Sequence, residues 1–453
     1  MTPWQRAFLI AATAAFAQPA SAQTLSASFS AAYSKNPQLN VARSQLRETD
    51  EGIAIARSGN RPTLFANLRQ SFETTRNLAA RNGGTRAAPT TVSVALTQPL
   101  FRGFQTRNNI RAAEAAVRAQ REALSNTEQN ILLSTAESFF DVIANGQIVG
   151  LRRNDVSFLG EQVRAARDRF EVGEGTRTDI SQAEARQASA QSLLNVAVAD
   201  LATAGAIYRE FTGMKAKSLR NDVRDARFIP PSLAAALDIG QNHHPAILAG
   251  LHTIDQNIFS VASTEGQLLP TLELTGEAAS TFNAGNGVQQ SDSASVRLDL
   301  SVPIYQGGRV SAQVRQAKEA LGTARIQVDV TRDEVRRFTV ASWARYQSAV
   351  RSIQAARTGV FAAQLALRGV IEEQRVGQRT TLDVLDAQSE LISSQVTLVA
   401  AERDRSVAAY TLLSAIGRLS AERLGLHVAL YEPKEHADAV RDKWFGLRTP
   451  DGR

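Results

Sequence analysis

The 453-residue chain is 43% apolar and 21% charged, a composition that excludes an intrinsically disordered protein. Its formal charge of +7 is small for this length and no dense Lys/Arg block occurs, so we expect no nucleic-acid partner. The absence of cysteine excludes disulfides, thiolate metal sites and cysteine nucleophiles.

The first predicted element is a secretory signal peptide over residues 1–22. Arg6 is the one charged side chain ahead of the Ala-rich stretch Ala7 to Ala17, and Ala20-Ser21-Ala22 fits the small-x-small cleavage rule. The alternative is a short membrane anchor, which is disfavoured because the apolar run falls short of the ~20 residues that a span needs. No later apolar stretch reaches that length, so any membrane span would consist of strands.

The rest of the chain consists of two halves with similar sequence motifs in the same order. "NPQL" at Asn36 resembles "HPAI" at His244, "QPLFRGF" resembles "VPIYQGG", and "VGEGTRTD" resembles "VGQRTTLD". The last two pairs are separated by 204 residues. We therefore predict a first repeat at 23–213, a linker at 214–231, a second repeat at 232–417 and a C-terminal periplasmic segment at 418–453.

Each repeat is predicted to contain a helix, a β-hairpin, a long helix, a tip and a return helix. The first helices are expected over 28–60 and 232–266. In the hairpins apolar and polar residues alternate with period two, as in Val296-Arg297-Leu298-Asp299-Leu300, which is typical of half-buried strands. The return helices are expected over 181–211 and 384–416.

The long helices carry a seven-residue repeat, which argues for coiled-coil packing. The register is the same in both copies: Ile110, Val117, Leu124 and Ile131 in the first, and Val314, Leu321, Val328 and Val335 in the second. A proline-free stretch from Gln105 to Arg169 would form a rod of roughly 100 Å. One rod beside two stacked shorter helices is the expected arrangement.

Two hairpins supply four strands, and four strands cannot close a barrel that hides its backbone from lipid. They must combine with strands of other chains, or pack as a soluble sheet. The predicted signal peptide and the alternating strands favour the first alternative. Cyclic symmetry supplies closure, and three copies would give twelve strands.

The duplicated order of elements, the paired "NPxL" and "xPTL" markers and "VGxxTxxDVLDAQ" resemble the TolC family of outer-membrane channel proteins, from about Thr24 to Gly417. The resemblance implies a mixed α and β fold, internally duplicated, with a long α-helical coiled-coil tunnel. Four β-strands per chain would complete a homotrimeric 12-stranded transmembrane β-barrel. It also implies a location in the outer membrane of a Gram-negative bacterium, in contact with its lipid, and a tunnel that extends into the periplasm.

The expected partners are a periplasmic membrane-fusion adaptor and an inner-membrane pump of the ABC or RND type. Together they would form a tripartite efflux pump or a type I secretion system. In the family the adaptor is held to meet the tips of the helical hairpins. Its contact candidates here are Val172, Gly173, Val376 and Gly377.

The periplasmic gate candidates are Asp179, Arg379, Asp383 and Asp386. Thr176 and Thr380 lie three positions before Asp179 and Asp383, so both acids could simply cap return helices. The resemblance implies that Arg379 pairs with Asp179 in the closed state, and that Asp383 and Asp386 form acidic rings that favour cations. For Asp386 the alternative is a solvated surface acid. The family network also contains a tyrosine where this chain has Gln374.

We expect no enzymatic activity, cofactor or metal site. The sequence has no G-x-S-x-G, P-loop or H-E-x-x-H motif. A rival hypothesis is a soluble periplasmic coiled-coil adaptor or scaffold, but an adaptor should have one helical hairpin and a lipoyl-like domain. From the resemblance alone, the C-terminal segment is expected to wrap the tunnel near its middle.

Overall fold

The computed structural model describes residues 23–75, 85–220, 228–285 and 288–452. The predicted signal peptide lies outside these residues, as do parts of both hairpin turns and of the linker. The first half contains, in chain order, β1 (Gln23–Thr24), α1 (Leu25–Lys35), α2 (Pro37–Ser58), β2 (Thr63–Gln70), β3 (Glu73–Thr75), β4 (Thr85–Ala87), β5 (Thr90–Arg102), α3 (Gln105–Glu171), α4 (Arg177–Thr212) and β6 (Leu219–Arg220). The second half contains α5 (Leu233–His243), α6 (Pro245–Glu265), β7 (Thr271–Gly285), β8 (Val288–Ser301), α7 (Arg309–Arg375), α8 (Thr381–Ala415) and α9 (Glu435–Val440).

The two long helices are equal in length and keep the 204-residue offset. Both α3 and α7 have 67 residues, and each extends about 100 Å at ~1.5 Å per residue. They begin at Gln105 and Arg309 and end at Glu171 and Arg375. The prediction of an internally duplicated chain built on long helices is confirmed.

The predicted single helix ahead of each hairpin, over 28–60 and 232–266, is wrong: each is two helices. Asn36 lies between α1 and α2 with φ −63° and ψ 125°, because Pro37 disfavours a helical conformation in the residue before it. The Asn36 side chain then accepts hydrogen bonds from the first free N–H groups of α2. His244 has the same conformation and the same capping role at the start of α6.

Each long helix packs beside two shorter helices of its own half, as expected: α2 and α4 lie along α3, and α6 and α8 lie along α7. α6 and α8 also pack against α3, which joins the two halves. At the first junction the Asn36 amide donates to the carbonyl of Phe211, 3.1 Å away, which joins the start of α2 to the end of α4. Most heptad positions are buried along the resulting seams: Val117, Leu124, Ile131, Val314, Val328 and Val335.

The largest hydrophobic cluster lies at the level of these junctions. Phe139 and Phe140 of α3 meet Tyr208 of α4 and Tyr410 of α8, with ring centroids 5.5 to 6.4 Å apart. Such aromatic pairs each add about 0.5–1.5 kcal/mol beyond the area they bury. The buried Tyr208 hydroxyl is satisfied by Ser28, 2.8 Å away. This cluster fixes the middle of the molecule, between the sheet and the tips.

The expectation that no later stretch is long and apolar enough to span a membrane is wrong for α4, the helix of the described part of the chain that meets both criteria. Packing against α3, rather than against lipid, explains why α4 is rich in alanine. Alanines recur every seven residues on the α4 face that packs along α3, and all four are buried: Ala183, Ala190, Ala197 and Ala204. Small side chains there let α3 and α4 approach closely.

The four long strands form one antiparallel sheet in the order β2-β5-β7-β8. Directly opposed residues align one apolar face across all four strands, in the rows Leu64–Leu96–Gly276–Val296 and Ala66–Val94–Ala278–Ala294. The intervening rows form a polar face, as in Thr63–Thr97–Thr275–Arg297 and Asn67–Ser93–Ala279–Ser293. Among the described residues, β2 and β8 are each paired in this sheet along one edge only.

Candidate periplasmic gate at the helical tips

Both helical hairpins reverse through the same backbone turn. At the first tip the Glu174 N–H bonds the Arg169 carbonyl at 2.8 Å, and the Gly173 N–H bonds the Phe170 carbonyl at 3.1 Å. This is a Schellman motif, which needs a left-handed residue, and Gly173 supplies it with φ +82°. Gly377 repeats the motif at the second tip with φ +77°. Open space surrounds both glycines, so the constraint is the backbone angle alone.

The residue before each glycine presents an exposed apolar side chain. Val172 is 71% exposed and Val376 is 69% exposed. The predicted contact residues therefore lie at the outermost point of each hairpin, where a partner can reach them. Their contact with an adaptor stays a prediction.

Asp179 and Asp383 close capping boxes at the start of α4 and α8. The Asp179 carboxylate accepts from the Thr176 backbone N–H at 2.9 Å and from its hydroxyl at 2.7 Å. In return the Thr176 hydroxyl accepts from the Asp179 N–H. Hydrogen bonds from the Thr176 hydroxyl and backbone lower the pKa of Asp179. The backbone and hydroxyl of Thr380 likewise lower the pKa of Asp383.

Arg379 pairs within its own tip. Its Nε donates to a Glu373 carboxylate oxygen 2.8 Å away, and this hydrogen bond raises the pKa of Arg379. Asp179 is instead engaged by Thr176, so a single chain does not join Arg379 to Asp179 in its described residues. The Arg379–Asp179 pair of the resemblance stays a prediction about contacts between chains. Gln374, at the tyrosine position of the family network, contacts the Thr381 hydroxyl.

Asp386 has a partner that the sequence did not reveal. The Arg186 guanidinium of α4 lies 2.6 Å from a carboxylate oxygen of Asp386 on α8. Both side chains are about half exposed, at 47% and 56%. Asp386 is therefore not a lone solvated acid in this conformation. The pair ties the two return helices of one chain together close to the tips.

A second link starts from Gln388, two residues after Asp386 on α8. The Gln388 amide donates to the buried carboxylate of Asp155 on α3, 2.9 Å away. Leu385, which precedes Asp386, is also buried. Sequence reasoning missed three residues of these links: Arg186, Asp155 and Gln388. No local motif marks them, because each contacts a residue 200 or more positions away in the chain. No group of three or more His, Cys, Asp or Glu side chains placed to hold a metal ion occurs in the described ranges.

A family model described as outer membrane efflux protein matches residues 29–211 and 237–418. The chain belongs to the outer membrane efflux protein family. The two matches fall on the two halves of the duplicated chain. They favour an outer-membrane channel over the rival hypothesis of a soluble periplasmic adaptor.

Curated relatives agree with this family over almost the full length of the chain. The outer membrane efflux protein BepC of Brucella suis biovar 1 is 46% identical over 448 residues, covering 99% of this chain and 97% of the relative. The outer membrane protein TolC of Escherichia coli K12 is 26% identical and covers 92% and 87%. These relatives support placing this efflux family member in the outer membrane.

Solved structures share the fold. A membrane protein from Pseudomonas aeruginosa superposes with a TM-score of 0.77 at 18% identity, over 86% of this chain and 92% of that one. Crystal structures of CusC give a TM-score of 0.75 at 17% identity, over 86% and 91%. The long helices and the strands therefore have the arrangement of known outer-membrane channels.

Proposed function

We propose that this outer membrane efflux family member works as a homotrimer, the exit duct of a tripartite efflux pump or type I secretion system. It would pass substrates from an inner-membrane transporter across the periplasm and outer membrane, and would perform no chemistry itself. The observation that carries the proposal is the four-stranded sheet with one apolar face, one polar face and two unpaired edges.

Unpaired strand edges cannot face lipid, because each free N–H or C=O group there costs several kcal/mol. Three copies of a four-stranded sheet supply twelve strands, enough to close a barrel with its apolar face toward lipid. The polar face, which carries the Arg297–Glu277 pair, would then line a water-filled lumen. The helices of the three chains would continue this lumen as a tunnel.

The partners are proposed from the tips and from the relatives. Exposed Val172 and Val376 on left-handed glycine turns offer an adaptor a small apolar seat at the end of each hairpin. The relatives include an alkaline protease secretion protein and a cobalt-zinc-cadmium resistance protein. Relatives thus act in protein secretion and in metal resistance. The 46% identity to an efflux protein favours efflux for this chain.

Cross-linking of the sheet edges tests the trimer. The chain has no cysteine, so Ala66→Cys on β2 can be combined in turn with Val296→Cys, Leu298→Cys or Leu300→Cys on β8. Within one chain these strands are about 14 Å apart, three spacings of ~4.8 Å, which no disulfide spans. We expect oxidation to give covalent trimers on a denaturing gel, and the trimers to conduct ions in planar bilayers.

The matched control joins Ala66→Cys to Val94→Cys, its direct partner on β5, and should give an intrachain bond that leaves a monomer. Monomers with all three β8 partners would contradict the proposed closure. Trimers that fail to conduct would contradict the duct. Deletion of the gene should lower the export of the duct's substrates from the cell. Recovery of export when the wild-type chain is expressed again would show that the loss is due to this protein.

A further inference from the structure

We propose that the C-terminal residues 443–448 form an interfacial membrane anchor that inserts into the periplasm-facing leaflet of the outer membrane. The partner is the phospholipid surface itself. The inference depends on the outer-membrane placement of the sheet. It does not depend on which pump or substrate the duct serves.

The family resemblance implies that the C-terminal segment wraps the tunnel near its middle. In the structure of one chain the segment takes a different path. It leaves the junction level and follows α2 toward the sheet. Four contacts mark this path in order: Tyr431 N–H to the Tyr33 hydroxyl at 3.0 Å, His436 to Asp50 at 3.1 Å, Asp442 to Arg57, and the Lys443 carbonyl to Arg61 at 2.7 Å. From Asp50 to Arg61 the path rises about 16 Å at ~1.5 Å per residue.

Arg61 fixes the end of this path at the base of the sheet. It precedes Thr63, the first residue of β2, by two positions. Its guanidinium both donates to the Lys443 carbonyl and lies over the Trp444 ring, 4.8 Å from the ring centroid. The indole is thereby held where the outermost strand enters the membrane.

From Trp444 onward, after the contacts with Arg61, the chain exposes apolar side chains. Trp444 is 64% exposed, Phe445 is 90% exposed and Leu447 is fully exposed. Basic residues flank them, Arg441 and Lys443 before Trp444 and Arg448 after Leu447. Tryptophan prefers the headgroup level of a bilayer, and Lys and Arg bury their stems there while their charges reach phosphate.

The same end of the sheet carries further exposed apolar residues at the two strand-to-helix junctions. Phe104 is 54% exposed after β5, and Ile304 and Tyr305 are 95% and 85% exposed after β8. The proposed anchor therefore lies at the same end of the sheet as these residues, as the strand register shows. A lipid surface can meet exposed residues at several places around that end, which argues for lipid over a protein partner.

Tryptophan fluorescence tests the anchor in the full-length trimer. Outside the predicted signal peptide the chain has two tryptophans, so Trp343→Phe leaves Trp444 as the reporter. The variant is reconstituted in phosphatidylethanolamine–phosphatidylglycerol vesicles with bromines placed near the carbonyl or the methyl end of the acyl chains. We expect a blue-shifted emission that bromines near the carbonyl end quench most strongly.

Trp444→Phe is the matched control, because Trp343 packs against the central core cluster and should escape bromolipid quenching. Quenching of Trp444 by aqueous iodide but not by bromolipid would overturn the proposal. Protection from both quenchers would also overturn it, because it would place the indole against a neighbouring chain. Ion conductance of the same vesicles reports the duct, so the two proposals fail separately.

A second measurement avoids Trp343 altogether. Phe445→Cys in the otherwise cysteine-free chain takes an environment-sensitive fluorophore, and Leu430→Cys, 52% exposed in the same segment beside Tyr431, is its control. We expect bromolipid to quench the label at position 445 and to spare the label at position 430. Equal quenching at both positions would overturn the anchor.

Discussion

Asp383 and Asp386 lie three positions apart on α8, yet their side chains are engaged differently. The Asp383 carboxylate accepts from the backbone N–H and the hydroxyl of Thr380 as half of a capping box. Asp386 reaches across to Arg186 on α4. Whether the Asp386 charge is balanced therefore depends on Arg186. If three chains place Asp386 around one axis, as the family resemblance implies, the net charge of that ring depends on both residues.

We predict opposite effects from removing the two partners. Arg186→Gln should raise cation selectivity and divalent-cation block in planar bilayers, because Asp386 loses its counter-charge. Asp386→Asn should lower both. An exposed ion pair contributes only about 0.2–1 kcal/mol to stability, so the free energy of unfolding should change little in either variant.

Arg167→Gln is the matched control for this pair. It breaks another exposed ion pair, Arg167–Glu184 at 2.5 Å, which joins α3 to α4 within the first hairpin near the same tip. If Arg167→Gln and Arg186→Gln change selectivity equally, the effect is a general change of surface charge. Asp386 then has no special part in the gate.

At the scale of elements, the tips depend on two turns that combine a left-handed glycine with a T-x-x-D cap. Residue spacing alone predicts both parts, because caps and Schellman turns are local interactions. Sequence also predicts the heptad seams and the two faces of the sheet, where period and burial coincide. It misses the breaks at Pro37 and Pro245 because the apolar pattern continues through them.

We predict that tip stability decreases in acid. The pKa of Asp179 and Asp383 is lowered from the usual 3.8 by the caps, so each carboxylate adds stability above that value. This contribution is lost as pH falls through the lowered pKa. Protection factors for hydrogen exchange at the start of α4 and α8, taken relative to the intrinsic exchange rate at each pH, should therefore fall in acid as local opening becomes easier.

Asp179→Asn should remove that pH dependence at the first tip and leave it intact at the second. Thr176→Ala should cost the first hairpin about 1 kcal/mol at neutral pH, the usual effect of losing an N-cap. A pH profile that is unchanged in Asp179→Asn would mean that other groups control the opening of the tip.

At the scale of the whole molecule, a buried pair is one of the contacts that fasten the C-terminal segment to the body. Asp50 of α2 is fully buried, with one carboxylate oxygen 3.1 Å from His436 of α9 and the other without a hydrogen-bond partner in the described ranges. Burial raises the pKa of Asp50, opposed by His436 and Arg121, while Glu51 adds to the rise. The pair joins positions 386 residues apart, which no local pattern could have predicted.

We predict that His436→Ala releases the segment. A buried carboxylate left without its partner costs about 1–3 kcal/mol, so limited proteolysis after Arg441 should become faster. His427→Ala, an exposed histidine in the same segment, is the matched control and should leave the rate unchanged. Equal protection in both variants would mean that Arg57 and Arg61 hold the segment without the buried pair.

The two 67-residue helices set the distance between the sheet and the tips. One heptad along α3 corresponds to about 10.5 Å of reach at ~1.5 Å per residue. Because α3 is in register with α4, and α7 with α8, the reach can change only if all four helices lose or gain a heptad together. A deletion in one helix would slide its seam and tilt its tip. The distance from the sheet to the tips is thus fixed by four helices at once, and it can change only in concerted steps of one heptad.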